Sequence, residues 1–120
     1  MTGPASAVLA YVELPVRDSE ASALFFEKAF GWHLTRFGPT YAGTLGQAAD
    51  LGLQGDASEA PAGPLAGIRV GDLEGALAAV EAAGGVVTRA IFAFPGGRRF
   101  QFREPGGNEI AVFVDEPARD

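Results

Sequence analysis

The chain has 120 residues, a formal net charge of −6 and no cysteine, a size that fits one domain or two small modules sharing a core. The negative charge argues against nucleic acid or an anionic membrane as a partner, because both require a basic surface. The lack of cysteine excludes disulfides, thiolate metal sites and a cysteine nucleophile. We therefore expect a cytoplasmic domain whose partner is a small molecule or a second copy of itself.

The first half of the sequence predicts a strand, a helix and three short strands. A tail without basic residues leads into the strand at residues 7–16, so no signal peptide is expected. Asp18 is placed to cap the helix and Gly31 to end it. The apolar face predicted for this helix consists of Leu24, Phe25, Lys28 and Ala29 with the neighbouring Phe26. Three short strands follow, at residues 33–37, 41–45 and 50–54.

The second half repeats this pattern after a small, polar linker at residues 55–64. A strand at residues 65–70 precedes Asp72, which is placed to cap a second helix. The pair Gly84-Gly85 ends that helix. Three further strands are predicted, at residues 86–94, 99–103 and 109–114.

The two halves superpose at an offset of 54 residues, which matches Asp18 with Asp72 and Gly31 with Gly85. Each half is a β-α-β-β-β unit, so we predict an α+β fold of two tandem modules. The first module covers about residues 7–54 and the second about residues 65–116. One such unit cannot cover its own apolar sheet face, so two must combine, either within the chain or between chains.

Three segments carry a family resemblance: ELPVRDSEASALFFEKAFGW (residues 13–32), AGIRVGDLEGALAAVEAAGG (66–85) and RRFQFREPGGNEIAVFV (98–114). Together they resemble the vicinal oxygen chelate (VOC) superfamily, which includes glyoxalase I, extradiol dioxygenases and bleomycin resistance proteins. The resemblance implies a single VOC-like domain over residues 1–120, with a curved mixed sheet around a cleft. It also implies a homodimer.

The resemblance also implies positions for a metal site, because catalytic members of the family hold a divalent ion with His and Glu side chains. The first ligand position is Tyr11, its equivalent in the second module is Leu65, and the position on the last strand is Ala111. The remaining ligand is placed near Asp50 or Gly52. Metal sites of this kind usually need at least three donor side chains. We therefore expect neither a metal ion nor a cofactor.

Two charged residues are candidates for ligand contact. Glu13 shares a strand face with Tyr11, where its carboxylate can bind a cationic or hydroxylated ligand, act as a base, or pair with an arginine. Arg69 shares a face with Leu65 and can pair with Glu13 or bind an anionic group. Aromatic side chains on the strands complete the candidate site. The predicted ligand-binding cleft comprises Tyr11, Glu13, Tyr41, Asp50, Leu65, Arg69, Phe100, Phe102, Ala111 and Phe113.

Three functions remain open. The first is a metal-free binding protein that resembles the bleomycin-resistance branch and holds a small, partly aromatic molecule in its cleft. The second is a glyoxalase-like lyase, isomerase or dioxygenase, which uses a divalent metal or acid–base chemistry at Glu13 with Tyr11 or Tyr41. The third is an interaction module whose cleft is filled by its own side chains.

Overall fold

The computed structural model describes residues 7–116, and the tail predicted before the first strand lies outside this range. Within it the chain forms eight strands and two helices, in the order β-α-β-β-β followed by β-α-β-β-β. The predicted α+β class and the two tandem modules are thereby confirmed. Neither of the two described helices is long and apolar enough to span a membrane.

The elements follow the sequence pattern closely. The first five are β1 (Val8–Pro15), α1 (Ser19–Phe30), β2 (Thr35–Arg36), β3 (Tyr41–Gly43) and β4 (Asp50–Gln54). The second five are β5 (Leu65–Arg69), α2 (Leu73–Ala82), β6 (Val86–Phe94), β7 (Gly97–Arg103) and β8 (Glu109–Asp115). Two compact units result. The first unit contains residues 10–65, and the second unit contains residues 66–116 together with residues 7–9.

In the first unit the strands follow the order β2-β3-β4-β1, with β1 and β4 parallel and the other pairs antiparallel. Helix α1 covers one face of these strands, where Ala23, Leu34 and Leu53 are buried. As predicted, Asp18 caps the helix, and its carboxylate accepts hydrogen bonds from the backbone of the first turn at 3.0 and 3.2 Å. Gly31 ends the helix at a φ of 71°.

Of the predicted apolar face of α1, Phe26 is confirmed, whereas the placement of Leu24 and Phe25 on it is wrong. These side chains are 47% and 60% exposed, whereas Ala23 is fully buried and Phe26 packs against the core. Successive helical residues differ by about 100° in direction. If the core-facing position is assigned one residue too late, at Leu24 instead of Ala23, the predicted apolar face therefore includes side chains that are exposed to solvent.

Arg36 of β2 joins the start of the sheet to α1. Its guanidinium donates to the carboxylates of Glu20 at 2.8 Å and Glu27 at 2.7 Å. Glu27 also accepts a hydrogen bond from the backbone N–H of Leu34. The Arg36 guanidinium, followed by this backbone bond, lowers the pKa of Glu27 to about 2. Through these two contacts Glu27 holds the residues after α1 against the helix.

In the second unit the strands follow the order β5-β8-β7-β6, with β5 and β8 parallel. Helix α2 covers one face, and Phe100 is fully buried there against Val70, Leu73 and Val112. Asp72 caps α2 through a 3.0 Å hydrogen bond from a backbone N–H of the first turn. Each unit thus has one sheet face covered by a helix and a second face that no helix of the unit covers, which we call the open face.

Phe100 and Phe25 provide a matched test of this core. Replacing the fully buried Phe100 with Ala should lower the free energy of unfolding by about 3–5 kcal/mol, because it leaves a cavity under α2. The same replacement at Phe25, which is 60% exposed, should cost less than about 1 kcal/mol. Urea unfolding followed by circular dichroism measures both. Equal losses would contradict the assignment of Phe100 to the core.

Candidate functional site

The open face of the first unit carries the polar side chains that sequence patterning singles out. On β1 and β4, Leu14, Leu51 and Leu53 point toward α1. Side chains alternate between the two faces of a strand. Glu13 and Asp50 therefore point to the opposite face, together with Tyr11 and Tyr41 of the predicted site.

Glu13 is the central residue of this face. Only 4% of its surface is exposed, and its Oε1 accepts a hydrogen bond from the Tyr41 hydroxyl at 3.2 Å. Gly52 lies opposite Glu13 in the parallel β1–β4 register, and Gly43 lies opposite Gly52 in the antiparallel β3–β4 register. A Cβ at Gly52 would collide with the Tyr41 hydroxyl. The glycine is therefore what allows the Tyr41 ring to cross β4 and reach Glu13.

Tyr11 and Asp50 are register partners on β1 and β4. The Asp50 carboxylate accepts hydrogen bonds from the Thr44 hydroxyl at 2.8 Å and from the backbone N–H of Gln47 at 3.2 Å. The Thr44 hydroxyl in turn accepts a bond from the N–H of Leu51. Asp50 thus closes the connection between β3 and β4, a structural role that the sequence pattern did not indicate.

The open face of the second unit contains Arg69, Ala111 and Phe113. Arg69 Nε donates to the Asp115 carboxylate at 2.9 Å, and its guanidinium lies 5.2 Å from the centroid of the Phe113 ring. Ala111 is fully buried and is the register partner of Gly67 on β5. The ion pair of Arg69 therefore has Asp115 as its acid, whereas the sequence suggested Glu13.

Three residues of this second open face are missing from the predicted site. Gln101 is 8% exposed and donates to the Glu109 carboxylate at 3.0 Å. The Arg99 guanidinium lies 5.0 Å from the centroid of the Phe92 ring, a cation–π distance. The three missed residues are thus Gln101, Arg99 and Phe92.

Phe100 and Phe102, which were predicted to line the ligand cleft, lie on the face of the sheet that α2 covers, and not on the face of the other predicted cleft residues. Both side chains belong to the core beneath α2, with their ring centroids 6.2 Å apart. The β7–β8 register pairs Gln101 with Ala111, so Gln101, and not its phenylalanine neighbours, shares the face of Ala111. Pairing the residues of β7 and β8 outward from the turn at residues 104–108 would have placed both phenylalanines on the face that α2 covers.

The residues at the implied metal-ligand positions do not fit a metal ion. Leu65 and Ala111 have hydrocarbon side chains without a donor atom and are 2% and 0% exposed. Tyr11 offers a phenol, and the Asp50 carboxylate is held by Thr44 and Gln47. Among residues 7–116, no three His, Cys, Asp or Glu side chains group closely enough to hold a metal ion.

Several solved structures share this fold. A superfamily member from Vibrio splendidus 12B01 superposes with a TM-score of 0.70 at 20% identity, covering 92% of this chain and 99% of that one. Methylmalonyl-CoA epimerase from Mycobacterium tuberculosis gives 0.72 at 20% identity, over 91% of this chain and 88% of that one. A Mn(II)-bound glyoxalase from Novosphingobium aromaticivorans gives 0.66 at 23% identity, over 93% of this chain and 41% of that one. At these identities the likeness shows the fold alone.

Sequence comparison gives the family directly. No curated protein matches the chain. Residues 8–112, which include every described helix and nearly every strand residue, match the family profile described as the Glyoxalase/Bleomycin resistance protein/Dioxygenase superfamily. The chain therefore belongs to this superfamily.

Proposed function

We propose that this chain is a binding protein of the superfamily that holds a small, partly aromatic organic molecule without using a metal ion. The observation that carries the proposal is the buried carboxylate of Glu13, which the Tyr41 hydroxyl contacts on the open face of the first unit. Burying a carboxylate in a strand costs free energy unless polar partners compensate it. A binding role accounts for keeping such a group on a face that no helix covers.

The chemistry of this face favours a ligand with both a ring and a hydrogen-bond donor. The Glu13 carboxylate only accepts hydrogen bonds when ionised, so it selects a hydroxyl or ammonium group. Tyr11 and Tyr41 supply aromatic surface on the same face. Small-molecule sites combine such apolar walls with a few placed polar groups. The ligand class that we propose is therefore an aromatic molecule with a hydroxyl or amine.

The donor set supports a metal-free role. Superfamily catalysis with a divalent ion would need donor atoms where this chain has Leu65 and Ala111. Neither side chain can bind a cation, so at most Tyr11 and one carboxylate remain. The proposal therefore assigns recognition to the chain's own polar groups.

The Glu13–Tyr41 pair also supports a second candidate, acid–base catalysis without a metal. A carboxylate and a phenol 3.2 Å apart can take a proton from a bound substrate and return it. One fold neighbour is named methylmalonyl-CoA epimerase. A search for turnover should therefore begin with assays of the epimerase and glyoxalase reactions.

Ligand binding can be tested with tyramine, an aromatic amine with a hydroxyl, on ¹⁵N-labelled protein. We expect saturable shifts in the amide signals of residues 11–13, 41–43 and 50–52, and weaker binding of the carboxylate analogue 3-(4-hydroxyphenyl)propionate, which Glu13 repels. Glu13→Gln should weaken tyramine binding by about tenfold or more, through loss of the charge-assisted contact. The exposed Glu81→Gln provides the control for net charge.

An absence of shifts at these amides up to millimolar tyramine and its phenol and catechol analogues would contradict the binding site. Shifts that persist unchanged in Glu13→Gln would contradict the role of the carboxylate. Chemical conversion of a bound probe that disappears in Glu13→Gln would instead support the second candidate.

Gly52→Ala tests whether Tyr41 is held over β4 as described. The added methyl group meets the Tyr41 hydroxyl, so it should displace the ring and cost about 1–3 kcal/mol of unfolding free energy. Gly63→Ala, where a Cβ meets nothing within 4 Å, should be nearly neutral. In a Tyr41→Phe background the cost at Gly52 should shrink. A cost that is unchanged by Tyr41→Phe would show that the hydroxyl is not the obstacle.

Metal content tests the donor set. Protein expressed with added manganese, nickel and zinc and then dialysed should hold less than about 0.1 equivalent of each ion, because two of the implied positions lack donors. Inductively coupled plasma mass spectrometry measures this. Near-stoichiometric metal that is lost in Asp50→Asn would contradict the proposal and support the metal-dependent enzymes of the superfamily.

A further inference from the structure

The second unit contains a cavity of about 300 Å³ between α2 and the face of the sheet that this helix covers. All of its lining residues belong to this one unit. Its floor is formed by the side chains of Val70, Ala76 and Val112, which are at most 4% exposed. Ala83 and Pro105 line its rim and are exposed to solvent. The space, which we call the α2 cavity, thus leads from the surface to the core of the unit.

The internal repeat shows how the first unit fills the equivalent space. At the offset of 54 residues, the first residue of α1, Ser19, matches the first residue of α2, Leu73. Val80, which lines the α2 cavity, then corresponds to Phe26. The Phe26 ring packs against the core of the first unit and stacks on Trp32 with the ring centroids 5.8 Å apart. The first unit therefore uses two aromatic rings of its own chain at the end of its helix.

The second unit has no ring at either of these two positions. The residues that correspond to Phe26 and Trp32 are Val80 and Val86, and Val86 is 64% exposed. Protein cores contain few voids larger than a water molecule, so a cavity of this size is unusual for a helix–sheet core. An apolar cavity of about 150 Å³ is large enough to bind benzene. The α2 cavity has about twice that volume, which fits two fused rings.

The lining of the α2 cavity is almost entirely hydrocarbon. Phe102 contributes an aromatic ring to the wall, and the remaining side chains are mainly those of alanine, valine and isoleucine. Among residues 7–116, Glu104 is the one charged residue that lines the cavity. Its carboxylate accepts hydrogen bonds from the backbone N–H groups of Gly106 at 2.7 Å and Asn108 at 3.0 Å. The carboxylate is thus bound within its own turn, and its negative charge disfavours an anionic ligand.

We propose that the α2 cavity is a second binding site, which takes an uncharged molecule with two fused aromatic rings. The ligand takes the place that Phe26 and Trp32 have in the first unit, with Phe102 as its aromatic neighbour. It carries no charge because a hydrocarbon lining cannot compensate a buried ion. The site belongs to the helix-covered face of the second unit, and Glu13 to the open face of the first, so this inference does not depend on the proposed function.

Three probes titrated into ¹⁵N-labelled protein test the shape and charge of the ligand. Indole should bind saturably at or below about 1 mM and shift the amide signals of residues 76–85 and 102–104. 1-Octanol has as many non-hydrogen atoms as indole but loses chain freedom on binding, so it should bind at least about threefold more weakly. Indole-3-carboxylate should bind at least about tenfold more weakly, because its charge would enter a hydrocarbon lining.

Variants of α2 test the location of the site. Val80→Phe introduces the residue of the first unit, and its ring should raise the dissociation constant of indole at least about tenfold. Ala79→Leu fills the same cavity by a smaller change and should also weaken binding, so it provides the test if Val80→Phe does not fold. Ala78→Phe is the control, because Ala78 is exposed and does not line the cavity, and it should leave indole binding unchanged. Circular dichroism measures the folding of each variant.

Four results would overturn the proposal. One is an absence of saturable indole shifts at residues 76–85 up to millimolar concentration. Another is wild-type affinity for indole in folded Val80→Phe and Ala79→Leu. The third is tighter binding of 1-octanol than of indole, which would assign the cavity to an alkyl chain. The fourth is a set of indole shifts confined to residues 11–13 and 41–43, which would assign the ring to the open face of the first unit.

Discussion

Packing of one helix against one face of each four-stranded array is the constraint on which the rest of this structure depends. Leu53 under α1 and Phe100 under α2 are fully buried, and strand alternation then determines the direction of every neighbouring side chain. Glu13 lies on an open face because Leu14, the next residue, is committed to the helix. The candidate site is thus a consequence of core formation on the other side of the same strands.

Much of the fold could be predicted from sequence because its signals are local. The caps at Asp18 and Asp72, and the bounds of the strands at residues 50–54 and 86–94, follow from capping chemistry and turn residues. It was harder to predict which side chains of an element point toward the core. Leu24 and Phe25 look like core residues of an amphipathic helix, but the small residue Ala23 packs against the sheet together with Phe26.

The candidate site was predictable only in part, for the same reason. The positions of Tyr11 and Glu13 on one face follow from their two-residue spacing, whereas the contact between Glu13 and Tyr41 depends on a pairing of distant strands. Apolar character alone assigned Phe102 to the wrong face, because an aromatic ring suits a core and a binding site equally well. Asp50 is a polar residue whose role in a local connection has no distinguishing sequence signal.

Duplication has left two units with the same framework and different open faces. The first has a carboxylate and a phenol over paired glycines, and the second has an alanine flanked by arginine–aromatic contacts. A framework maintained by helix caps and core residues allows such divergence, because the open faces contribute little to either core. Membership of a catalytic superfamily therefore does not determine what these two faces do.

The packing of aromatic rings at the end of α1 has a spectroscopic consequence. Trp32 is the only tryptophan in the chain, and it stacks on Phe26 at the end of α1. Its emission is therefore sensitive to the packing of that one helix end. Fluorescence and circular dichroism followed in parallel would consequently distinguish loosening of the first unit from loss of helix in the chain as a whole.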